Sequence, residues 1–260
     1  MIASLGMYDR AETQGANDRL WANIRDGLRA NGVAAPDELT RGERAYWQAW
    51  QAPDLVFSQT CGFPYRAKLH GHVTLIGTPD YGLPGCPPGH YNSVFVARRA
   101  DSRQTLSDFS GARFAYNEAL SQSGWAAPQN HAAAHGLQFP PSLQTGGHRL
   151  SALAVSEGRA DLAAIDALTW VMLTRWEPWT TTLKEVGRTE PPTPVLPFIA
   201  AQGADAAVYF QVIRQAIAAL SADDRETLHL KGVVQIPAEL YLAVHTPATP
   251  EQIAQSGCAD

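Results

Sequence analysis

Hydroxyl and amide side chains stand in front of a helical pattern in the middle of the chain. In the run AYNEALSQSGWAAPQNH (115–131), Ser121, Gln122, Ser123 and Gly124 come directly before apolar residues at helical spacing. A helix start has N–H groups without intrahelical partners and about half a positive charge, so it attracts oxyanions. Serine before a helix is also the commonest N-cap. The segment therefore predicts either an anion site or a helix cap.

Two further polar residues begin helical patterns. In TGGHRLSALAVSEG, a Gly-Gly turn precedes His148, which can donate a hydrogen bond to an anion and can become charged when one binds. The alternative is a solvent-facing histidine at a loop–helix junction. Asp166 ends the strand-like run DLAAID, where it can orient His148, meet a donor on a ligand, or act as an N-cap. A carboxylate aimed at a dianion would repel it unless a proton is shared.

Neutral donors are frequent at strand ends and loops elsewhere. Tyrosine hydroxyls and glutamine amides donate to an anion without adding net charge, which suits an acidic chain. Five such side chains are candidates: Tyr8, Gln59, Tyr65, Tyr81 and Tyr91. Because tyrosines are also ordinary half-buried residues, we expect only one or two of the five to contact a ligand.

Catalytic and metal-binding motifs are not found. The sequence has no GxSxG elbow, no GxxxxGK[ST] loop, no GxGxxG after a strand, and no carboxylate pair spaced for acid–base work. No CxxC or His/Cys group has metal-site spacing. We therefore expect no catalytic residue, no metal and no cofactor.

The cysteines leave two alternatives open. Cys61 and Cys86 both follow strand-like runs and lie in the Gly/Pro-rich segments QTCGFP and LPGCPPG, so they could form a disulfide or remain two thiols. Cys258 lies in a polar tail, and we expect it to take no part.

Strand and helix patterns alternate along the chain and would bring the polar segments to the edges of sheets. This alternation predicts an α/β fold with two lobes, each a mainly parallel sheet flanked by helices. Two extended segments, NSVFVAR and TPVLPFIAA, read as crossovers. We assign residues 1–92 and 202–260 to lobe 1 and residues 93–201 to lobe 2. Ligands in such sheets bind beyond the carboxyl ends of the strands, which here predicts a cleft between the lobes.

Charge and hydropathy exclude two classes of partner. The net charge is −5 and no basic block is present, so we expect no nucleic-acid binding. The apolar runs are too short or too interrupted to insert into a membrane. The first ten residues, MIASLGMYDR, do not have the pattern of a signal peptide. Three interpretations stay open: a cytoplasmic protein, a trimmed signal, or export encoded elsewhere.

A family resemblance emerges from several of these segments together. SQSGW…P, GGH..S..AV.EGRADLAAID and TPVLPFIA, with DLVFSQTCGFP and PGCPPGHYNSVFV, resemble the phosphate/phosphite/phosphonate-binding receptors of ABC transporters. The resemblance covers nearly the whole chain. It implies the type II periplasmic-binding-protein fold, a periplasmic location, an ABC transporter permease as partner if the chain is exported, and a monomer.

The resemblance also implies a ligand and its contacts. A small anion of the phosphonate or phosphate type would be held by Ser121, Gln122, Ser123 and His148, with Tyr91, Tyr8, Gln59 and Asp166 completing the site. The lobes would close on it by hinge motion. In receptors of this family a hydroxyl residue often stands where this chain has Gln122. LPFIAA has no carboxylate matching the one that receives an amino group in aminoalkylphosphonate receptors, which disfavours such a ligand.

Two competing functions share the same architecture. One is an enzyme similar to menaquinone-pathway lyases or pyrimidine-synthesis proteins, with His148 and Asp166 as the candidate pair. The other is a cytoplasmic sensor. Ligand released unchanged would separate a binding protein or sensor from an enzyme.

Overall fold

The chain forms two compact units. The computed structural model describes residues 1–256, and Cys258 lies outside them. Unit 1 comprises Met1–His90 and Pro194–Ala243, and unit 2 comprises Tyr91–Thr193 and the chain from Val244 onward.

Short strands and helices alternate through both units. The strands are β1 (Ile2–Ser4), β2 (Leu55–Gln59), β3 (Val73–Asp80), β4 (His90–Tyr91), β5 (Ser93–Arg98), β6 (Phe114–Tyr116), β7 (Pro141–Gln144), β8 (Leu162–Asp166), β9 (Leu183–Arg188), β10 (Thr193–Pro194), β11 (Phe198–Ala201) and β12 (Gly232–Val234). The α-helices are α1 (Gln14–Ala30), α2 (Trp47–Trp50), α3 (Gly62–Pro64), α4 (Ala127–His135), α5 (His148–Ser156), α6 (Ala167–Trp176), α7 (Ala206–Ala219), α8 (Ala222–Thr227), α9 (Ala238–Leu242) and α10 (Pro250–Ser256). Shorter 3-10 or π turns are Gly6–Tyr8, Gly42–Ala45, Tyr65–Leu69, Leu106–Phe109, Gln122–Ala126 and Pro178–Thr182.

Unit 1 contains a five-stranded sheet in the order β1-β2-β11-β3-β12. Strands β1, β2 and β3 share one direction, while β11 and β12 run against them. Helix α1 buries Leu20, Trp21, Ile24 and Leu28, apolar residues that recur at helical spacing in the sequence, and Trp21 stacks on Phe57 of β2. The apolar spacing of this helix is thus what attaches it to the sheet.

Unit 2 contains a second five-stranded sheet, in the order β7-β6-β8-β5-β9. Strand β5 is antiparallel to both of its neighbours, whereas β6 is parallel to β7 and to β8. Helices α5 and α6 flank β8, whose five residues are all buried. The two sheets are therefore mixed, with most strands in one direction, and the α/β fold is confirmed.

In each unit, one antiparallel strand is formed by a segment that the sequence predicted to be a crossover between the lobes. Strand β5 follows the first passage of the chain into unit 2, and β11 follows its return to unit 1. The paired strands β4 and β10 lie at these two passages.

The boundaries of the units differ from the expected ones in three places. Residues 91–92 belong to unit 2, residues 194–201 belong to unit 1, and residues 244–256 belong to unit 2 instead of lobe 1. The third difference has a clear cause: Nε1 of Trp125 donates to the Ala248 carbonyl at 3.1 Å, and the Asn130 amide donates to the His245 carbonyl at 2.9 Å. Long-range contacts of this kind leave no pattern in the sequence.

None of the helices within residues 1–256 is long and apolar enough to cross a bilayer.

Candidate functional site

Ser121 is the N-cap of the helix that begins the predicted anion segment. Its side chain accepts the Gly124 N–H at 3.0 Å, and its carbonyl accepts the N–H groups of Trp125 and Ala126. The turn Gln122–Ala126 then continues directly into α4. The capping interpretation is therefore correct for Ser121. Its side chain accepts a hydrogen bond from one of the N–H groups that have no acceptor within the helix.

Ser123 is not the cap; its hydroxyl contacts a histidine from another helix. Oγ of Ser123 lies 2.8 Å from Nε2 of His148, the first residue of α5. The Ser123 carbonyl accepts the hydroxyl of Ser93, at the start of β5, at 2.8 Å. Three separate elements of unit 2 therefore meet at one serine, and the predicted proximity of Ser123 and His148 is present in the fold.

His148 is electrically neutral at pH 7. Desolvation by the surrounding protein lowers the pKa of its imidazole to about 4, and the backbone of Ala164 offsets this only in part. Nδ1 has no hydrogen bond of normal geometry among the residues that the structure describes. The Ser123–His148 pair therefore lacks the carboxylate that orients the histidine of a hydrolytic triad.

Asn117 follows strand β6 and packs against the start of the helix. A Cβ atom at Gly124 would overlap Oδ1 of Asn117 and would lie 3.2 Å from Cε1 of His148. Glycine at 124 thus permits the close approach of the Asn117 side chain to the helix start. Asn117 and Ser93 are not among the ligand residues predicted from the sequence, although each is a polar residue at a strand end.

Asp166 and Tyr91 are buried in the same unit. Oδ1 of Asp166 accepts the Thr169 N–H at 2.8 Å, so this carboxylate is the N-cap of α6, and the residue is 2% exposed. Asp166 also pairs with Ser93 in the β5–β8 ladder. Tyr91 is 1% exposed and lies two residues before Ser93. Both predicted residues are therefore neighbours of the Ser93–Ser123 contact along the chain or across the sheet.

The basic side chains of unit 2 are occupied at other places. Arg149 follows His148 in the chain but pairs with Glu177 at 2.6 Å. The remaining arginines and the lysine have contacts as follows: Arg98 and Arg113 with Asp161, Arg103 with Asp101, Arg99 with the Thr181 carbonyl, Arg159 with Glu157, Arg175 over Trp176, Arg188 with Glu185, and Lys184 with the carbonyls of Asp101 and Arg103. These contacts of the basic side chains are made with residues other than Ser123 and His148.

The predicted residues of unit 1 form a cluster of their own. Nε2 of Gln59 donates to the Tyr81 hydroxyl at 3.0 Å and to the Leu196 carbonyl at 3.1 Å. The rings of Tyr8 and Tyr81 meet edge to face with centroids 5.5 Å apart. Tyr8 lies in the 3-10 turn Gly6–Tyr8, which follows the end of strand β1 at Ser4. Tyr81 therefore connects Gln59 with Tyr8.

Cys61 and Cys86 are both thiols in this structure, so the disulfide alternative is not the one present. Their surroundings differ: Cys61 is buried close enough to Tyr241 to influence the pKa of its hydroxyl, whereas Cys86 is half-buried in a turn closed on the Leu83 carbonyl. Cys61 is thus enclosed by protein, whereas Cys86 lies in a turn, and the two side chains have different surroundings.

A cavity in unit 1 does not include the predicted ligand residues. Its volume is about 540 Å³, and its walls include Trp50, Lys68 and His72. Within residues 1–256, no group of three or more His, Cys, Asp or Glu side chains is arranged to hold a metal ion.

Similar structures share this fold along their whole length. PhnD1 from Prochlorococcus marinus, solved with methylphosphonate, has a TM-score of 0.71 and 15% identity, covering 100% of this chain and 98% of its own. XAC2383 from Xanthomonas citri, solved with ATP, has a TM-score of 0.68 and 14% identity, covering 99% and 98%. A binding protein component of an ABC phosphonate transporter (PA3383) from Pseudomonas aeruginosa has a TM-score of 0.67 and 15% identity, covering 99% and 93%.

Sequence comparison assigns the family. No curated protein sequence matches the chain. The family described as "ABC transporter, phosphonate, periplasmic substrate-binding protein" matches residues 51–238, which is more than half of the chain. Such a protein binds a substrate for transport, so the prediction of a binding protein is confirmed and an enzyme is not favoured. The chain belongs to the phosphonate-binding family of periplasmic substrate-binding proteins that serve ABC transporters.

Proposed function

We propose that the ligand of this receptor is a small phosphorus oxyanion without an amino group, such as methylphosphonate, and that Ser123 and His148 bind it. The observation that carries the proposal is the 2.8 Å contact between Ser123 Oγ and His148 Nε2 at a helix start. Backbone N–H groups at such a position point outward and favour anions.

The Ser123–His148 pair can direct a proton toward an oxyanion. When Nε2 of His148 carries the ring proton, it donates to Ser123 Oγ, and the serine hydroxyl is then available to donate to a ligand oxygen. Because the imidazole is neutral, this donor adds no net charge. Gln122, 1% exposed beside Ser123, supplies a further neutral amide at the same turn. Ser121, Tyr91 and Asp166 complete the predicted set in unit 2.

The segment after the return to unit 1 supports a ligand without an amino group. Phe198, Ile199 and Ala200 of β11 are apolar and at most 2% exposed. They stand where the resemblance places the carboxylate of aminoalkylphosphonate receptors. An ammonium group would have no charged partner there, and burying it unpaired would be costly. Tyr8 and Gln59 stay predictions from the resemblance.

Membership of this family also suggests a partner protein and a cellular location for the chain. We propose that the protein works as a monomer in the periplasm and delivers its ligand to an ABC permease. Detecting the mature chain in a periplasmic extract, and a monomeric mass by light scattering, would support this. A cytoplasmic chain or a stable dimer would contradict it.

Thermal melting with a ligand panel tests the proposed specificity. A ligand that binds only the folded protein at 1,000 times its Kd adds about 4.1 kcal/mol of stability. We expect methylphosphonate and phosphite to raise the melting temperature, and 2-aminoethylphosphonate and malate to have little effect. A protein that responds to none of the phosphorus oxyanions would contradict the proposal.

A further inference from the structure

A histidine of α4 lies between strand β5 and the segment through which the chain leaves unit 2. His131 and His135 are one helical turn apart, and their rings stack with centroids 4.1 Å apart. The ring of His131 also lies 5.6 Å from the ring of Phe95 on β5, and the residue is 8% exposed. His131 is thus a titratable group enclosed by protein, and it is not one of the proposed ligand contacts.

The hydrogen bonds of this pair determine which ring nitrogens carry protons. The backbone N–H of Glu190 donates to Nδ1 of His131 at 3.2 Å. Because a backbone N–H can only donate, Nδ1 of His131 has no proton and the ring proton lies on Nε2. Nδ1 of His135 lies 2.8 Å from the His131 carbonyl, which can only accept, so this nitrogen carries a proton. His131 must therefore be neutral for the bond from Glu190 to exist.

The bond from Glu190 attaches a short connecting segment to the helix. Residues 189–192 lie between β9 and β10, where the chain passes from unit 2 to unit 1. Thr189 is held separately, since its N–H donates to the Ser93 carbonyl at 2.9 Å and its hydroxyl accepts the Ser93 N–H at 2.9 Å. Glu190 is exposed, and its backbone N–H donates to a titratable acceptor. A proton on His131 would thus release Glu190 and leave Thr189 in place.

We propose that His131 is a pH switch for the segment 189–192: the neutral ring holds the Glu190 N–H, and the protonated ring releases it. When Nδ1 takes up a proton, it becomes a donor that faces another donor, and the bond cannot persist. The charged ring would be attracted by the Glu190 carboxylate and repelled by His135 when that residue is also charged. Acid therefore gives the segment a conformational freedom that it does not have at neutral pH.

The surroundings of His131 determine the pH at which the switch operates. Desolvation lowers the pKa of its imidazole, His135 lowers this pKa further, and the Glu190 carboxylate acts in the opposite direction. The other charged or titratable groups on elements that contact α4 have bonds of their own: Arg98 of β5 with Asp161, Arg188 of β9 with Glu185, and His245, whose carbonyl accepts the Asn130 amide. Above about pH 6.5 the ring is therefore neutral and holds Glu190. The bond is lost as the pH falls below this value and through the lowered pKa.

NMR of the 15N-labelled native protein tests the switch without added ligand. Spectra of the ring nitrogens at pH 7.5 should show Nδ1 of His131 without a proton and Nδ1 of His135 with one. From pH 7.5 to 4.5, we expect the hydrogen-exchange protection of the Glu190 amide to fall about tenfold per pH unit until the ring is protonated, because the ratio of protonated to neutral ring rises by that factor. The Thr189 amide, whose acceptor is a carbonyl, is the internal control and should stay protected.

Two variants separate the ring proton from its surroundings. His131→Gln supplies an amide oxygen as an acceptor that does not titrate, so the protection of the Glu190 amide should no longer depend on pH. His135→Gln removes the histidine that opposes a second charge, so it should move the titration midpoint of His131 to higher pH. The control is His72→Gln, at an exposed position of unit 1, which should behave like the native protein.

Several results would overturn the inference. A proton on Nδ1 of His131 at pH 7.5 would do so, because this nitrogen could not accept the Glu190 N–H. A ring that stays neutral down to pH 4.5, or constant protection of Glu190 while His131 titrates, would also overturn it. Loss of protection at Thr189 together with Glu190 would show general unfolding in acid in place of a local switch. Native pH dependence in His131→Gln would assign the effect to another group. The proposed ligand is unaffected by any of these results.

Discussion

Ser123 and His148 are joined by a 2.8 Å contact between Oγ and Nε2, although 25 positions separate them in the chain. Each residue lies at a helix start, one in the turn that leads into α4 and the other at the first position of α5. The contact gives Ser123 a role that a helix cap does not explain, since Ser121 is the cap.

Replacing Ser123 with Ala should weaken methylphosphonate binding by about 1–3 kcal/mol, because a hydrogen bond to a charged ligand is lost. Calorimetric Kd values measure the change. The matched control is Ser151→Ala in the same unit, where the buried hydroxyl contacts Thr145 Oγ1 at 2.7 Å. Equal affinities for Ser123→Ala and the native protein would exclude Ser123 from the ligand contacts.

Replacing Ser121 with Ala should lower the free energy of unfolding by about 0.5–2 kcal/mol, because the Gly124 N–H loses its cap. Urea denaturation measures this value. Ser121→Thr, which keeps a capping hydroxyl, should recover most of the loss. If the threonine variant is as unstable as the alanine variant, the hydroxyl is not what stabilises the helix start.

Replacing Gly124 with Ala should destabilise unit 2 by about 1–3 kcal/mol, because the new methyl group overlaps Oδ1 of Asn117. This cost should exceed the gain of about 1 kcal/mol that alanine usually brings to a helix. The control is Gly147→Ala, at an extended φ of −172° with no atom within 4 Å of the added carbon. Similar stabilities for the two variants would contradict this packing.

The low pKa of His148 predicts a loss of stability in acid. Its pKa is about 4 in the folded protein and about 6.5 in the unfolded chain. As the pH falls below about 6.5, His148 of the unfolded chain takes up a proton before His148 of the folded protein does. The free energy of unfolding therefore decreases from about pH 6.5 down to about pH 4. Above pH 6.5, His148 does not change the free energy of unfolding. Denaturation at pH 4.5 and 7 should show a smaller decrease for His148→Asn than for the native protein. His72→Asn, at an exposed position of unit 1, is the control and should behave like the native protein.

Thiol counting tests the state of the cysteines. With Cys61 and Cys86 as thiols, a thiol reagent in denaturant without reductant should find three reactive groups, counting Cys258. In the native protein, half-buried Cys86 should react faster than buried Cys61. Reductant should leave the melting temperature unchanged. One reactive group in denaturant would show a disulfide.

Much of the local structure could be predicted from residue spacing. The stripe of Leu20, Trp21, Ile24 and Leu28 predicted α1, since an apolar face at helical spacing must be buried. The two crossover segments were recognised, and they became β5 and β11. Strand β12 (GVV) was missed, because three apolar residues are too few to show a period.

The sequence by itself determined which polar side chains stand at helix starts and strand ends, because capping and periodicity act over a few residues. Only the tertiary structure decided which of them meet. The order of strands in unit 2 brings His148 to Ser123 across 25 positions of the chain. Contacts of Trp125 and Asn130 likewise hold residues 244–256 in unit 2. These contacts join residues far apart in the chain, and side-chain packing, which selects them, leaves no local pattern.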